Sequence, residues 1–299
     1  MTLEQILDEI RENFTFFNKP KGSIYRVVRF TAQENCLAEY DALVKIYEDC
    51  CVGTPEEPRL LVRHRSGIAY VQGFKLHHAA YKTEYSEVFN GTKQAFVLYS
   101  GASEATNNYF KNQATIEGEL SPKFNEIRIP LLDKASSTLG PLGRVLTSGE
   151  LVSKTMVGNC GDCCDLVSYR LLKNQLSEAI QVVQVNFTID NRNVFSHCFA
   201  VIDATKRFSP NLDGLERAVV VDPWNFYAMP FLELIKDTAA ETEYMRFIFS
   251  EIDVFKIHLV FDSSQSKIAL DSTKPLTMPS NQMTALCLIA DELKIKTRF

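Results

Sequence analysis

Apolar positions along this 299-residue chain change period several times, and each change predicts a new element. Met1 to Ile10 alternates apolar and acidic residues at helical spacing behind a Thr2/Gln5 capping box, which predicts an amphipathic helix. Ile24 to Phe30 predicts a strand. Glu34 to Asp49 predicts a helix with Cys36, Tyr40, Leu43, Val44 and Tyr47 on its apolar side. Strand-like runs follow at Arg59–Arg63, Ile68–Phe74 and Gln94–Tyr99. The stretch Gly101–Leu120 is polar, Phe124–Leu132 reads as another strand, and Ser136–Ser148, rich in Ser, Gly and Pro, reads as an irregular connection. That connection is either the boundary between regions 1–135 and 136–299 or a loop covering a cleft. Beyond it, a helix opens near Cys160 with Cys163, Cys164, Val167 and Leu171 on one face. Val194–Ile202 and Val219–Val221 read as buried strands, Phe231–Ala239 as helical, Val254–Phe261 as a strand and Asn281–Lys294 as a closing helix.

Three of these segments carry residues that belong together chemically. Cys160 stands where the turn Gly158-Asn159-Cys160-Gly161 enters its helix, His197 lies inside the apolar run Val194–Ile202, and Asp222 closes the run Val219–Val221. A thiol is a useful nucleophile near neutral pH when an imidazole takes its proton, and a carboxylate can orient that imidazole. A helix N-terminus favours thiolate and offers N–H groups to an oxyanion. Gly161 leaves room for a carbonyl to approach, and Asn159 is a further donor candidate. Asp203, which closes the histidine strand, competes with Asp222 for the orienting role.

The Gly-Asn-Cys-Gly helix start, the histidine on a following apolar strand and the Val-Asp-Pro-Trp strand end together resemble papain-like cysteine peptidases. The likeness is greatest to compact Cys-His-Asp effector enzymes of pathogenic bacteria, and it spans Val157 to Tyr227. It implies an α+β fold in which a helix bearing the nucleophile packs on an antiparallel sheet bearing His and Asp, with an N-terminal α/β extension. It implies Cys160 as nucleophile, His197 as general base, Asp222 as orienting acid and Trp224 as a shield over the imidazole. Alignment with the plant-papain Cys-Gly-Ser-Cys-Trp run would make Cys163 the nucleophile instead, but Cys164 follows it where that run has an aromatic. The papain oxyanion glutamine has no counterpart, since Lys154 occupies its spacing. The activity implied is a cysteine peptidase acting on a host protein through a thioester; a deamidase or transglutaminase-like transferase would use the same triad.

Composition narrows the partners. With 32 basic and 37 acidic residues the chain has no electrostatic footprint for nucleic acid. No apolar run is long enough to span a bilayer, and the N-terminus lacks the features of a Sec signal. The eight cysteines include the neighbours Cys50-Cys51 and Cys163-Cys164, which cannot readily pair with each other, so a reducing compartment is expected. Together with the resemblance, this suggests delivery by a non-Sec route into host cytosol.

Two other classes compete. Cys160, Cys163 or Cys164 with His197 and Cys198 could hold zinc, although adjacent strand residues make a poor ligand pair. A catalytically silent binding module would keep the fold without the chemistry. The triad reading requires neither metal nor cofactor, and His64, His77, His78 and His258 read as core or surface residues.

Overall fold

The computed structural model describes residues 1–19, 24–30, 52–54, 57–64, 67–72, 94–100, 103–174, 178–188, 194–209, 211–236, 254–265 and 274–297, with 242, 245, 246, 248 and 249. The elements are α1 (Leu3–Asn13), β1 (Thr15–Phe16), β2 (Ile24–Phe30), β3 (Val52–Thr54), β4 (Glu57–His64), β5 (Gly67–Gln72) and β6 (Gln94–Ser100). Next come α2 (Ser103–Thr115), a π-helical turn (Ile116–Leu120), α3 (Ser121–Thr155), β7 (Val157–Gly158) and α4 (Cys160–Lys173). The chain continues through β8 (Ile180–Thr188), β9 (Val194–Ile202), β10 (Val219–Asp222), β11 (Tyr227–Pro230), α5 (Phe231–Leu234), β12 (Val254–Asp262) and α6 (Ser280–Thr297). The architecture is α+β. One antiparallel sheet has the order β11-β10-β9-β8-β12, and a second, β2-β6-β4-β3, carries β5 on β4.

The amphipathic N-terminus forms α1, with Thr2 as N-cap and both hydrogen bonds of the Thr2/Gln5 capping box present. Strands expected near 24–30, 59–63, 68–74, 94–99, 194–202, 219–221 and 254–261 are present as β2, β4, β5, β6, β9, β10 and β12. The expected helix Glu34–Asp49, and His77 with His78, lie outside the described residues. The helix read over Phe231–Ala239 is one turn ending at Leu234 within the described residues.

The segment 124–148 differs from expectation. Phe124–Leu132 is helix, not strand: Ser121, Phe124, Arg128, Leu132 and Ala135 are buried at three- and four-residue spacing along α3. Ser136–Ser148 is helical too, with its breakers confined to one kink, where Gly140 takes φ 69°, ψ −168°. Pro141 restarts the helix there, at the position where a missing N–H costs nothing.

The helix that begins at Cys160, α4, is the middle layer. Residues 162–169 of α4 are all buried, between the β8–β9 part of the sheet on one side and α3 and α1 on the other. Gly149 permits the close approach of α3, since a Cβ there would lie 2.2 Å from the Tyr169 Cβ. The α1 helix is tied down by Glu9, which accepts from both terminal nitrogens of Arg170, one at 2.7 Å. Ile6, Leu7, Ile10, Phe14 and Phe16 join Cys163, Val167, Val183 and Val201 in one apolar core, so the first residues belong to the layer around α4. Among the described residues, no helix is long and apolar enough to cross a membrane.

Candidate active site

Several backbone constraints converge on the turn before Cys160. Met156 ends α3 in the left-handed region at φ 52°, its N–H donating to the Val152 carbonyl. The emerging chain, β7, pairs in parallel with β1, Thr15 opposite Val157 and Phe16 opposite Gly158. Phe17 N–H extends the pairing to the Gly158 carbonyl at 2.9 Å. Asn159 then caps α4: its Oδ1 accepts from Gly161 N–H at 2.9 Å and Asp162 N–H at 3.2 Å, while Asp162 Oδ2 accepts from Asn159 N–H at 2.8 Å. Buried Arg128 of α3 pairs with Asp162 and holds that carboxylate in place. Gly158 is required here, because a Cβ would lie 2.5 Å from the Asp162 Cβ and 2.6 Å from its Oδ2.

This cap changes the expected oxyanion donors. The N–H groups of Gly161 and Asp162 serve Asn159 Oδ1, and that of Cys163 serves the Asn159 carbonyl at 3.0 Å. Of the first turn's groups, the Cys160 N–H and the Asn159 Nδ2 amide lie outside these bonds. Asn159 is therefore primarily a cap. At Gly161 a Cβ would meet Asn159 Oδ1 at 3.3 Å and the Cys198 Sγ at 3.6 Å, so the absent side chain leaves the turn beside Cys160 open. Lys154, at the papain glutamine spacing, points to an exposed ion pair with Glu150 at 2.8 Å.

Strand register brings His197 and Asp222 to one face. Val221 lies opposite Ala200 in the β10–β9 pair, so Asp222 falls beside Phe199, and alternation puts His197 on the face that Phe199 and Asp222 share. His197 Nε2 meets Asp222 Oδ2 at 3.1 Å, with both residues fully buried. The carboxylate is heavily solvated by protein. Its Oδ1 accepts from the N–H groups of Trp224 at 3.1 Å and Asn225 at 3.4 Å, and its Oδ2 from Asn225 Nδ2 at 2.8 Å. Trp224 lays its indole near the imidazole, ring centroids 5.0 Å apart. With Nε2 on Asp222, Nδ1 is the ring's other nitrogen, and the Cys160 thiol lies close enough to the imidazole for each to shift the other's protonation.

The electrostatics favour a thiolate–imidazolium pair. The half-buried Cys160 thiol lies well below its usual range: the Cys198 side chain hydrogen-bonds to it, burial opposes, and the His197 hydrogen bond and charge and the Cys198 backbone N–H add to the lowering. For His197, burial acts downward, yet the charge and hydrogen bond of Asp222 and the hydrogen bond and charge of Cys160 bring it up to about 9. Burial pushes the thiols of Cys163 and Cys164 well up, and the hydrogen bond to Cys160 with burial does the same to Cys198.

Of the sequence-selected residues, Cys160, His197, Asp222, Asn159, Gly161 and Trp224 come together here. Cys163 is wholly buried among core side chains, and Asp203 lies away from the imidazole, paired with Arg217 at 3.3 Å. Among the described residues, no group of three or more His, Cys, Asp or Glu side chains is placed to hold a metal ion. His258 is exposed on β12.

Four contributors escaped sequence reasoning: Cys198 as a partner of the thiol, Asn225 on the Asp222 carboxylate, Arg128 on the cap, and Lys19. Asn225 carried a signal, since Asp-Pro-x-Asn is a pattern in which the first side chain can bind the N–H groups that follow it. No family model, no curated protein and no solved structure matches the chain.

Proposed function

We propose that this chain is a thiol-dependent hydrolase with a papain-like catalytic core, acting as a cysteine peptidase on a protein substrate. The observation that carries the reading is a buried, hydrogen-bonded His197–Asp222 pair beside a half-buried thiol at a helix N-terminus. In the resting state Cys160 is the thiolate and His197 the imidazolium. The sulfur attacks the amide carbonyl carbon, a C–S bond forms, and the oxyanion is met by the Cys160 N–H and the Asn159 amide. Collapse breaks the C–N bond as His197 gives its proton to the leaving amine. Water, deprotonated by neutral His197, then cleaves the thioester and restores the ion pair. Asp222 holds the ring with Nδ1 toward sulfur throughout, and Trp224 covers the His–Asp pair against water.

Delivery into a host cytosol, with a host protein as substrate, belongs to the same proposal and rests on the resemblance and the cysteine usage. A reporter fusion that stays outside host cells despite a working secretion system would contradict it.

The test of the chemistry is incubation with denatured protein and peptide pools, with Cys160→Ala and His197→Ala as controls. New peptide termini that vanish in both variants support the peptidase. Ammonia release without chain cleavage would assign deamidation, and incorporation of an added amine would assign acyl transfer. No thioester and no product from any pool would count against an enzyme.

A further inference from the structure

Lys19 is fully buried, which is rare for a lysine and requires an explanation. Its Nζ donates to the Trp224 carbonyl and lies over three aromatic faces, 4.6 Å from the Phe226 ring centroid, 5.4 Å from that of Phe16 and 5.5 Å from that of Trp224. Its neighbours on the chain are the tie to the nucleophile, for Phe16 pairs with Gly158 and Phe17 N–H binds the Gly158 carbonyl. The far end of its contacts is the turn that carries the acid, Asp222 to Phe226, which Phe226 closes at φ 62°.

Resting on the reading of Cys160, His197 and Asp222 as the catalytic centre, we infer that Lys19 is a positioning residue of that centre. Its ammonium locks the Asp222–Phe226 turn onto the segment that delivers Cys160. Two consequences follow from geometry. Trp224, the one tryptophan of the chain, is gripped by Lys19 at its carbonyl and packs on His197 with its indole, so Lys19 acts on the imidazole through Trp224 as well as through the Asp222 turn. A buried ammonium also opposes folding, so its removal should loosen the site without weakening the fold.

The charged groups around it are known. Asp222 from β10 and Cys163 from α4 favour the ammonium. Arg11 of α1 is a second cation on the Phe226 ring, 5.8 Å from its centroid, with Nη2 donating to the Phe226 carbonyl at 3.0 Å. Burial dominates, against the pull of Asp222 and Cys163, and lowers Lys19 to about 7. The Lys19 proton therefore comes and goes beside the single indole, well separated from His197 at about 9.

The experiment uses the full chain, wild type and Lys19→Met, with three readouts: urea unfolding at pH 7, tryptophan emission against pH, and iodoacetamide labelling of Cys160 by peptide mapping. Wild-type emission should titrate with a midpoint near 7, the value set for Lys19. Lys19→Met should lose that transition, unfold at an equal or higher urea concentration, and label Cys160 about tenfold more slowly or worse, as misplacement of a reacting group predicts. Unchanged labelling in a folded Lys19→Met protein, or wild-type emission with no transition near 7, overturns the inference. Should the variant fail to fold, Lys19→Gln, which keeps a donor for the Trp224 carbonyl but no charge, takes its place in the same labelling, and unchanged labelling there overturns the inference equally. Wild-type protein without selective Cys160 labelling instead removes the catalytic reading, a result distinct from either failure of the Lys19 role.

Discussion

Replacing Asp222 with Asn is the perturbation whose effect the structure sets most fully. The side-chain volume stays the same, but the charge that faces His197 is gone, and one of two accepting oxygens becomes a donor. Both oxygens are committed, Oδ1 to two N–H groups and Oδ2 to His197 and Asn225 Nδ2, so either orientation of the amide opposes donor to donor. In the native protein His197 stands at about 9 against an ordinary 6.5, a preference for imidazolium of roughly 3 kcal/mol. Burial works against this, so Asp222 and Cys160 together supply more than the net effect. Without the Asp222 charge, burial should carry the ring back to 6.5 or lower. At pH 8 the imidazolium then falls from about nine-tenths of molecules to under about one-tenth, and Cys160 loses the cation that holds it as thiolate.

Because the folded-state value of His197 is raised, its contribution to stability is fully present below 6.5 and is lost as pH rises through about 9. The stability gap between wild type and Asp222→Asn should therefore be widest near pH 6 and shrink toward pH 10. The assay is ring-carbon NMR of His197 across pH, alongside iodoacetamide labelling of Cys160 at pH 8, expected to slow about tenfold or more. A His197 midpoint still near 9 in the variant, or unchanged labelling, would refute the account of Asp222.

Two further perturbations probe the neighbours. Cys198→Ala removes the contact that most lowers Cys160; the labelling midpoint of Cys160 should move up in pH, and a midpoint that stays put would deny Cys198 that part. Asp165, pushed up by burial against Arg144 and Ser148 to about 7 from 3.8, contributes stability present below 3.8 and lost as pH rises through about 7. Asp165→Asn should thus unfold at higher urea than wild type at pH 8 by up to about 4 kcal/mol, less whatever the 3.4 Å Arg144 pair contributes, with no such gain at pH 4. Equal effects at the two pH values would contradict the assignment.

The site was readable from sequence where local chemistry dictates position. A Gly-Asn-Cys-Gly turn needs a cap and a helix, and apolar runs ending in His or Asp need a sheet, so Cys160, His197 and Asp222 could be placed on their elements before their distances were known. The failures have common causes. Phe124–Leu132 was ambiguous because a short apolar run fits either period, and the burial of Arg128 by its Asp162 partner is invisible in the sequence. Gly140 and Pro141 signalled a break correctly, but the break is one kink inside α3. Lys19, within Asn18-Lys19-Pro20-Lys21-Gly22, has the composition of an exposed turn; only the return of the Asp222–Phe226 hairpin against β1 reveals its aromatic enclosure. The oxyanion donors were only partly legible, because nothing in the sequence shows that the Gly161 and Asp162 N–H groups are taken up by Asn159 Oδ1, which caps α4.

The most direct test of the central claim is iodoacetamide labelling of the native protein across pH with peptide mapping of every cysteine. The account predicts that Cys160 reacts far ahead of Cys163, Cys164 and Cys198, with a midpoint well below the ordinary thiol value. Uniform slow labelling, or preference for Cys163, would contradict it.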